Sequence, residues 1–320
     1  MPGGEILVVG SINLDMLLFQ ERLPARGETI HASEVREEFG GKGANQAVQA
    51  ARLGQRVIFL GAVGDDPRGE ACVQNLRDHG IDCHISTVDG PTGLGVVHVV
   101  GPGDVYATVL AGANAAVDVD LVRRHRDLFQ RASWVLLQNE IPADAVVEAV
   151  EQAATFGARV IFNAAPARAV PASVTRRCDY LVLNEEEAMF FLGRRFDSRQ
   201  EIKNAVHELR EYCSKVVVTL GEEGSIIYCD SQVHSIPAVP VDAVDTTGAG
   251  DSYVGAFAAG LNEGRADLEA ASIAAAVAAV TTTGAGAQTS MPRGEDVEHE
   301  AVRAQTPDHG VASQLRRGLH

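Results

Sequence analysis

Residues 245–260 read DTTGAGDSYVGAFAAG, and the text before them, HSIPAVPVDAVD over 234–245, has the look of a strand. The glycines of GAG let the backbone turn closely, and the apolar YVGAFAAG continues as a helix, so several free amide N–H groups point at one spot. Such a spot attracts an anion, phosphate above all. Asp251, at the start of this helix, is either an N-cap or a base beside developing negative charge. Taken alone, the stretch also describes a capped helix after a tight turn. In either case it predicts a strand–turn–helix unit, the building block of an α/β fold.

Working outward, short β-branched runs recur: ILVVGSI, RVIFLGAVG, SWVLLQNE, RVIFNAAP, YLVLNEEE and KVVVTLGEEG. Helix-length segments with apolar spacings of three and four lie between most of them, such as 69–79 and 143–156. This alternation predicts a parallel, Rossmann-like sheet covered by helices on both faces, with ligands at the C-terminal ends of the strands. Two regions, 14–39 and 92–110, read instead as alternating strands with turns, the second containing the hairpin-like GPGD. They predict a small β-appendage inserted into one domain spanning 1–292, with a charged tail over 293–320.

Composition excludes several classes. The 320 residues are 46% hydrophobic and 22% charged, and 27 Lys+Arg against 43 Asp+Glu give a net charge of −16. Such a balance repels nucleic acid and anionic membranes. The cysteines (Cys72, Cys83, Cys178, Cys213, Cys229) are odd in number and lack CxxC spacing, which disfavours disulfides or zinc and suits reduced thiols in a cytoplasm. MPGGEILVVG has no basic n-region, which argues against secretion. The alanine-rich run 270–280 is about half the ~20 residues a bilayer needs, so it predicts a buried helix.

Three further stretches carry candidate chemistry. FGGKGANQAVQAARLG (39–54) builds another approachable helix N-terminus but is no Walker P-loop, since Gly43 follows Lys42 and Arg36 stands where the first glycine belongs. In GSINLD (10–15), Asn13 and Asp15 leave a strand on one face, as recognition of hydroxyl groups requires; a turn with a solvated aspartate has the same text. In NEEE (184–187), Asn184 and Glu187 share a helix face and can hold a hydrated divalent cation, or simply complement the helix dipole.

Together, in this order, these motifs resemble the PfkB carbohydrate kinase family from Ile6 to about Pro292, with AGANAAV, NAAPAR and TLGEEG resembling further family stretches. The resemblance implies a three-layer α/β/α sandwich with a small β-sheet lid. It also implies ATP-dependent phosphorylation of the primary 5-hydroxyl of D-ribose to D-ribose 5-phosphate. A nucleoside such as adenosine or pseudouridine, or fructose, is the alternative acceptor. A catalytically idle sugar-binding regulator is a third reading, against which an intact Asp251 and GAG speak. A phosphosugar acceptor would call for a basic residue beside GSINLD, and the stretch has none. By the resemblance, Asn13, Asp15, Gly41, Lys42, Asn45 and Glu140 bind the sugar and Asp251 is the catalytic base. Asn184, Thr219, Gly221, Gly224, Gly248, Ala249 and Gly250 take the nucleotide, the last three as anion hole. Asn184 and Glu187 serve Mg²⁺, while Asp245, Thr247, Thr281, Gly284, Gly286 and Ser290 surround an activating K⁺. A homodimer formed through the lid is expected.

Overall fold

The computed structural model describes residues 3–101 and 104–297. The centre of the GPGD hairpin and most of the charged tail lie outside these residues. In chain order, β1 (Glu5–Val9) is followed by β2 (Asn13–Gln20), β3 (Glu34–Gly40) and β4 (Val57–Gly64). Then come β5 (Asp82–Val88), β6 (Gly93–Val100), β7 (Asp104–Leu110), β8 (Ala132–Gln138) and β9 (Arg159–Asn163). The last are β10 (Tyr180–Leu183), β11 (Val216–Thr219), β12 (Ser225–Cys229) and β13 (Gln232–Ile236).

Nine strands form the central sheet in the order β13-β12-β11-β10-β9-β8-β1-β4-β5. From β11 to β5 every pairing is parallel, and β12 and β13 add an antiparallel hairpin at one edge. The interior parallel strands are buried on both sides, the edge strand β5 only partly, and alternate residues feed opposite cores. Ile6 and Val8 pack into the layer with Tyr253, Phe257 and Val277, while Leu7 and Val9 pack into the layer with Phe129, Val146 and Val150. This makes a three-layer α/β/α sandwich. The chain leaves β1 toward β4 on one side and later toward β8 on the other, so strand order reverses at β1. Its carboxyl end is therefore the expected ligand crevice.

A second sheet, β3-β2-β6-β7, stands at that end. Its strand β2 begins at Asn13, with only three residues between it and the end of β1 at Val9, so the sheet is tied directly to the crevice.

Some local structure departs from the sequence reading. The strand expected through residues 234–245 ends at Ile236, because Pro237 and Pro240 cannot donate to a ladder. The β12–β13 hairpin turns through Asp230 and Ser231, both at positive φ (50° and 60°), where glycine would ordinarily announce the turn. The alanine-rich run lies in a buried helix, Asp267–Thr281, and no helix among the described residues is long and apolar enough to cross a membrane.

Candidate active site

The crevice is built from strand ends: Ser11 to Asp15 after β1, Glu140 after β8, Asn163 on β9, Asn184 after β10 and Thr219 on β11. Two helix N-termini face it. The helix Lys42–Arg52 starts at Gly41, whose φ of 88° and closeness to Asn13 N (2.8 Å from a would-be Cβ) leave room for glycine alone. The helix Ala249–Asn262 starts at Gly248 (φ 76°), with no side chain capping its first turn. These two helices cross closely at Gly255, where a Cβ would come within 2.6 Å of Gln46 O. That approach carries Asn45 and Gln46 onto Asp251.

Asp251 is 8% exposed; its Oδ2 accepts from Asn45 Nδ2 at 2.9 Å and its Oδ1 from Gln46 Nε2 at 3.1 Å. Asn45 Oδ1 in turn accepts from Gln288 Nε2 at 3.0 Å. The Lys42 ammonium is held above its ordinary pKa, first by Asp251 and then, against the opposing effect of burial, by Glu140, Glu187 and Asp15. One cation thus sits among four acids, which suits an incoming polyanion with its own counter-ion.

On the other wall, Asn13 is buried and its Oδ1 accepts from Asn114 Nδ2 at 2.8 Å, which leaves the Asn13 amide N–H groups for a ligand. Asp15 rises to about 6, chiefly by burial and secondly by Glu140. Its carboxylate fits only because residues 40 and 95 are glycines; a Cβ there would come within 2.0 and 2.3 Å of Asp15 oxygens. Glu140 Oε2 accepts from Ser11 Oγ at 2.6 Å and from the Lys42 backbone N–H at 2.9 Å, tying the β8 end to the start of the helix Lys42–Arg52.

Asn184 and Glu187 form a capping box for the helix Glu185–Leu192: Asn184 Oδ1 accepts from Glu187 N, and Glu187 Oε2 accepts from Asn184 N, each at 2.8 Å. Glu187 is nevertheless pushed up to about 7, mainly by burial, and it acts electrostatically on both Lys42 and Asp251. Thr219 Oγ1 lies 3.4 Å from Leu183 O, and Gly221 and Gly224 follow at positive φ (56° and 86°) beyond the end of β11.

Of the residues expected around a monovalent cation, the structure gathers most. Asp245 accepts from Thr247 N and Thr247 Oγ1 (2.9 and 2.7 Å) through Oδ1, and from Gly286 N (2.9 Å) through Oδ2. Burial opposes its ionisation, but these bonds outweigh it and hold the carboxyl below its ordinary pKa. Ser290 Oγ bonds Gly286 O, and Gly284 packs on Ser290. An oxygen-only donor set of this kind fits a hard cation. Thr281 stands apart, however. Still inside its helix, it is fully buried, donating to Val277 O (2.9 Å) and pairing with Ser252 Oγ (2.6 Å).

Several participants escaped the sequence reading: Ser11, Gln46, Asn114, Gln138, Asn163 and Glu38, whose Oε2 lies 3.3 Å from Ala287 N. One signal was available. The helix Lys42–Arg52 carries three amides, Asn45, Gln46 and Gln49, that no amphipathic surface helix needs, and all three are buried. Among the described residues no group of three or more His, Cys, Asp or Glu can hold a metal ion by itself. The acids present suit Mg²⁺ carried in with nucleotide phosphates, which typically needs only one or two protein carboxylates.

A doubly wound sheet with a buried acid at a glycine-initiated helix facing its crevice is an arrangement suited to phosphoryl transfer. The family model for pfkB family carbohydrate kinases matches residues 4–294, and the chain belongs to that family. It is an ATP-dependent sugar kinase. The ribokinase of Bacillus subtilis (strain 168) is 35% identical over 92% of this chain and 98% of its own length. The deoxyribokinase of Salmonella typhi is 34% identical over 90% and 95%. Among solved structures, ribokinase from Thermotoga maritima superposes with a TM-score of 0.85 at 33% identity, covering 93% of this chain and 99% of that one. Arabidopsis thaliana ribokinase complexed with ribose and ATP gives 0.86 at 30% identity, covering 96% and 100%.

Proposed function

We propose that the enzyme transfers the γ-phosphoryl group of ATP to the primary 5-hydroxyl of D-ribose, giving D-ribose 5-phosphate. The observation that carries this reading is the buried Asp251 carboxylate, bonded to Asn45 beside the Lys42 ammonium at the mouth of a free helix N-terminus. Asp251 accepts the proton of the hydroxyl as its oxygen attacks the γ-phosphorus. The N–H groups of Gly248 and Gly250 hold the phosphoryl oxygens, the Ala249 N–H being turned to Thr246 O at 3.2 Å, and Lys42 offsets their charge. Asn13, Asp15, Asn45 and Glu140 fix the sugar hydroxyls, while Thr219, Gly221 and Gly224 line the nucleotide side. Asn184 and Glu187 would hold Mg²⁺ brought in with ATP, which would supply charge neutralisation for the phosphates. Asp245, Thr247, Gly286 and Ser290 would hold a monovalent cation, K⁺ by preference, which would steady the turn into the anion hole. The second sheet closes over the sugar as a lid and excludes water.

The likeness to ribokinases, one of them complexed with ribose and ATP, supports ribose as acceptor. Similarity at 34% to a deoxyribokinase favours 2-deoxyribose as the second reading. The deciding experiment is ADP release from the purified protein with Mg·ATP across ribose, 2-deoxyribose, fructose, adenosine and pseudouridine, with K⁺ or Na⁺. Ribose should give the highest kcat/KM, raised by K⁺. A higher value for any other acceptor replaces this reading.

A further inference from the structure

Both oxygens of Asp251 take a side-chain N–H, one from Asn45 and one from Gln46. Asn45 belongs to the proposed sugar site, but Gln46 is fully buried behind the carboxylate. Its Nε2 donates a second bond to Asn163 Oδ1 at 3.0 Å, and its Oε1 accepts from Gln138 Nε2 at 2.7 Å. Asn163 is itself oriented, because its Nδ2 donates to the main-chain oxygen of Val182 at 3.2 Å. Turning the Gln46 amide over would set Oε1 against the Asp251 carboxylate and Asn163 Oδ1, and Nε2 against Gln138 Nε2. The neighbours therefore permit one orientation, with the N–H edge toward Asp251.

We propose that Gln46 is a positioning residue for Asp251, its amide locked by Asn163 and Gln138 so that the carboxylate is held as a bare acceptor aimed at the reacting hydroxyl. This rests on Asp251 acting as the base. The charged groups facing Asp251 are Lys42, of opposite sign, and Asp15 and Glu187, of like sign. With charges of both signs present, a neutral donor that pairs with a carboxylate oxygen but not with a carboxylic O–H discriminates between the two forms and fixes the rotamer. Each carboxylate oxygen keeps a lone pair for the substrate proton.

The test uses the full chain and Mg·ATP with ribose, comparing wild type, Gln46→Met, which removes both donors at similar volume, and Gln46→Glu. Gln46→Met should lower kcat by about 10- to 100-fold, leave both KM values within about threefold and move the acid limb of the kcat–pH profile upward. Gln46→Glu should lose more, because two adjacent carboxyls share one proton. A kcat within about twofold of wild type with superimposable pH profiles overturns the proposal, as does a loss carried wholly by KM. If wild type itself turns over no sugar, the functional reading falls instead. Should melting curves show Gln46→Met unfolded, Gln138→Met, which frees the Gln46 amide without touching Asp251, must move the pH limb the same way. An unmoved limb there also overturns the proposal.

Discussion

Asp15 is the residue at which binding and stability pull apart. Its carboxyl rises from an ordinary 3.8 to about 6 because the crevice buries it beside Glu140. Between those values the folded chain keeps a proton that the unfolded chain has released. Stability therefore falls as pH rises through that window, and the cost stays constant above it. Glu187 acts in the same direction, from 4.5 to about 7. Asp15→Asn is expected to raise the melting temperature of the ligand-free protein at pH 8, measured calorimetrically, while weakening ribose affinity at the same pH by about tenfold or more. Equal affinity in a ribose titration would remove Asp15 from the sugar site. This tension was legible in GSINLD only as two polar residues on one face. Burial by Gly40 and Gly95, which sit on β3 and β6, could not be read from a six-residue stretch.

At the scale of elements, the sequence signals worked where local chemistry decides structure. The helix Ala143–Phe156 coincides with its apolar spacing and ends at Gly157 in the left-handed region. The β12–β13 hairpin and β5 stayed hidden, the first because Asp230-Ser231 is an unusual turn pair. The close crossing of the helices Lys42–Arg52 and Ala249–Asn262 was equally invisible, since it joins residues about two hundred positions apart and hinges on the absence of a side chain at Gly255. Gly255→Ala should destabilise the fold by about 1–3 kcal/mol, seen in a denaturant melt, because its Cβ would meet main-chain atoms that cannot swing away. It should also lower kcat by displacing Asn45 and Gln46 from Asp251. An unchanged melt with unchanged kcat would mean that the crossing has slack and does not set the site.

Across the whole molecule, the second sheet stands out by leaving Val35, Val105, Tyr106, Val109 and Leu110 exposed. By strand register, Val105 and Val109 share a face with Asp15, Phe19 and Val97, yet they are 57% and 54% exposed. The exposed valines of β7, on the face that carries Asp15 and, on β3, Glu34, Arg36 and Glu38, are an expected contact between two copies. Sedimentation velocity should accordingly find a dimer, with the pair Val105→Glu and Val109→Glu shifting it to monomer and weakening sugar binding; a wild-type monomer would contradict the dimer. The alternation of strands and helices made the sandwich readable, while the assembly of the crevice from many separated segments did not follow from any one of them. What unites those segments is Asp251, and the most direct measurement is the turnover of Asp251→Asn alongside calorimetric titration with ribose and with ATP. The expected result is a fall in kcat of about 10²-fold or more with both affinities preserved. Near-wild-type turnover would contradict the role assigned to this carboxylate.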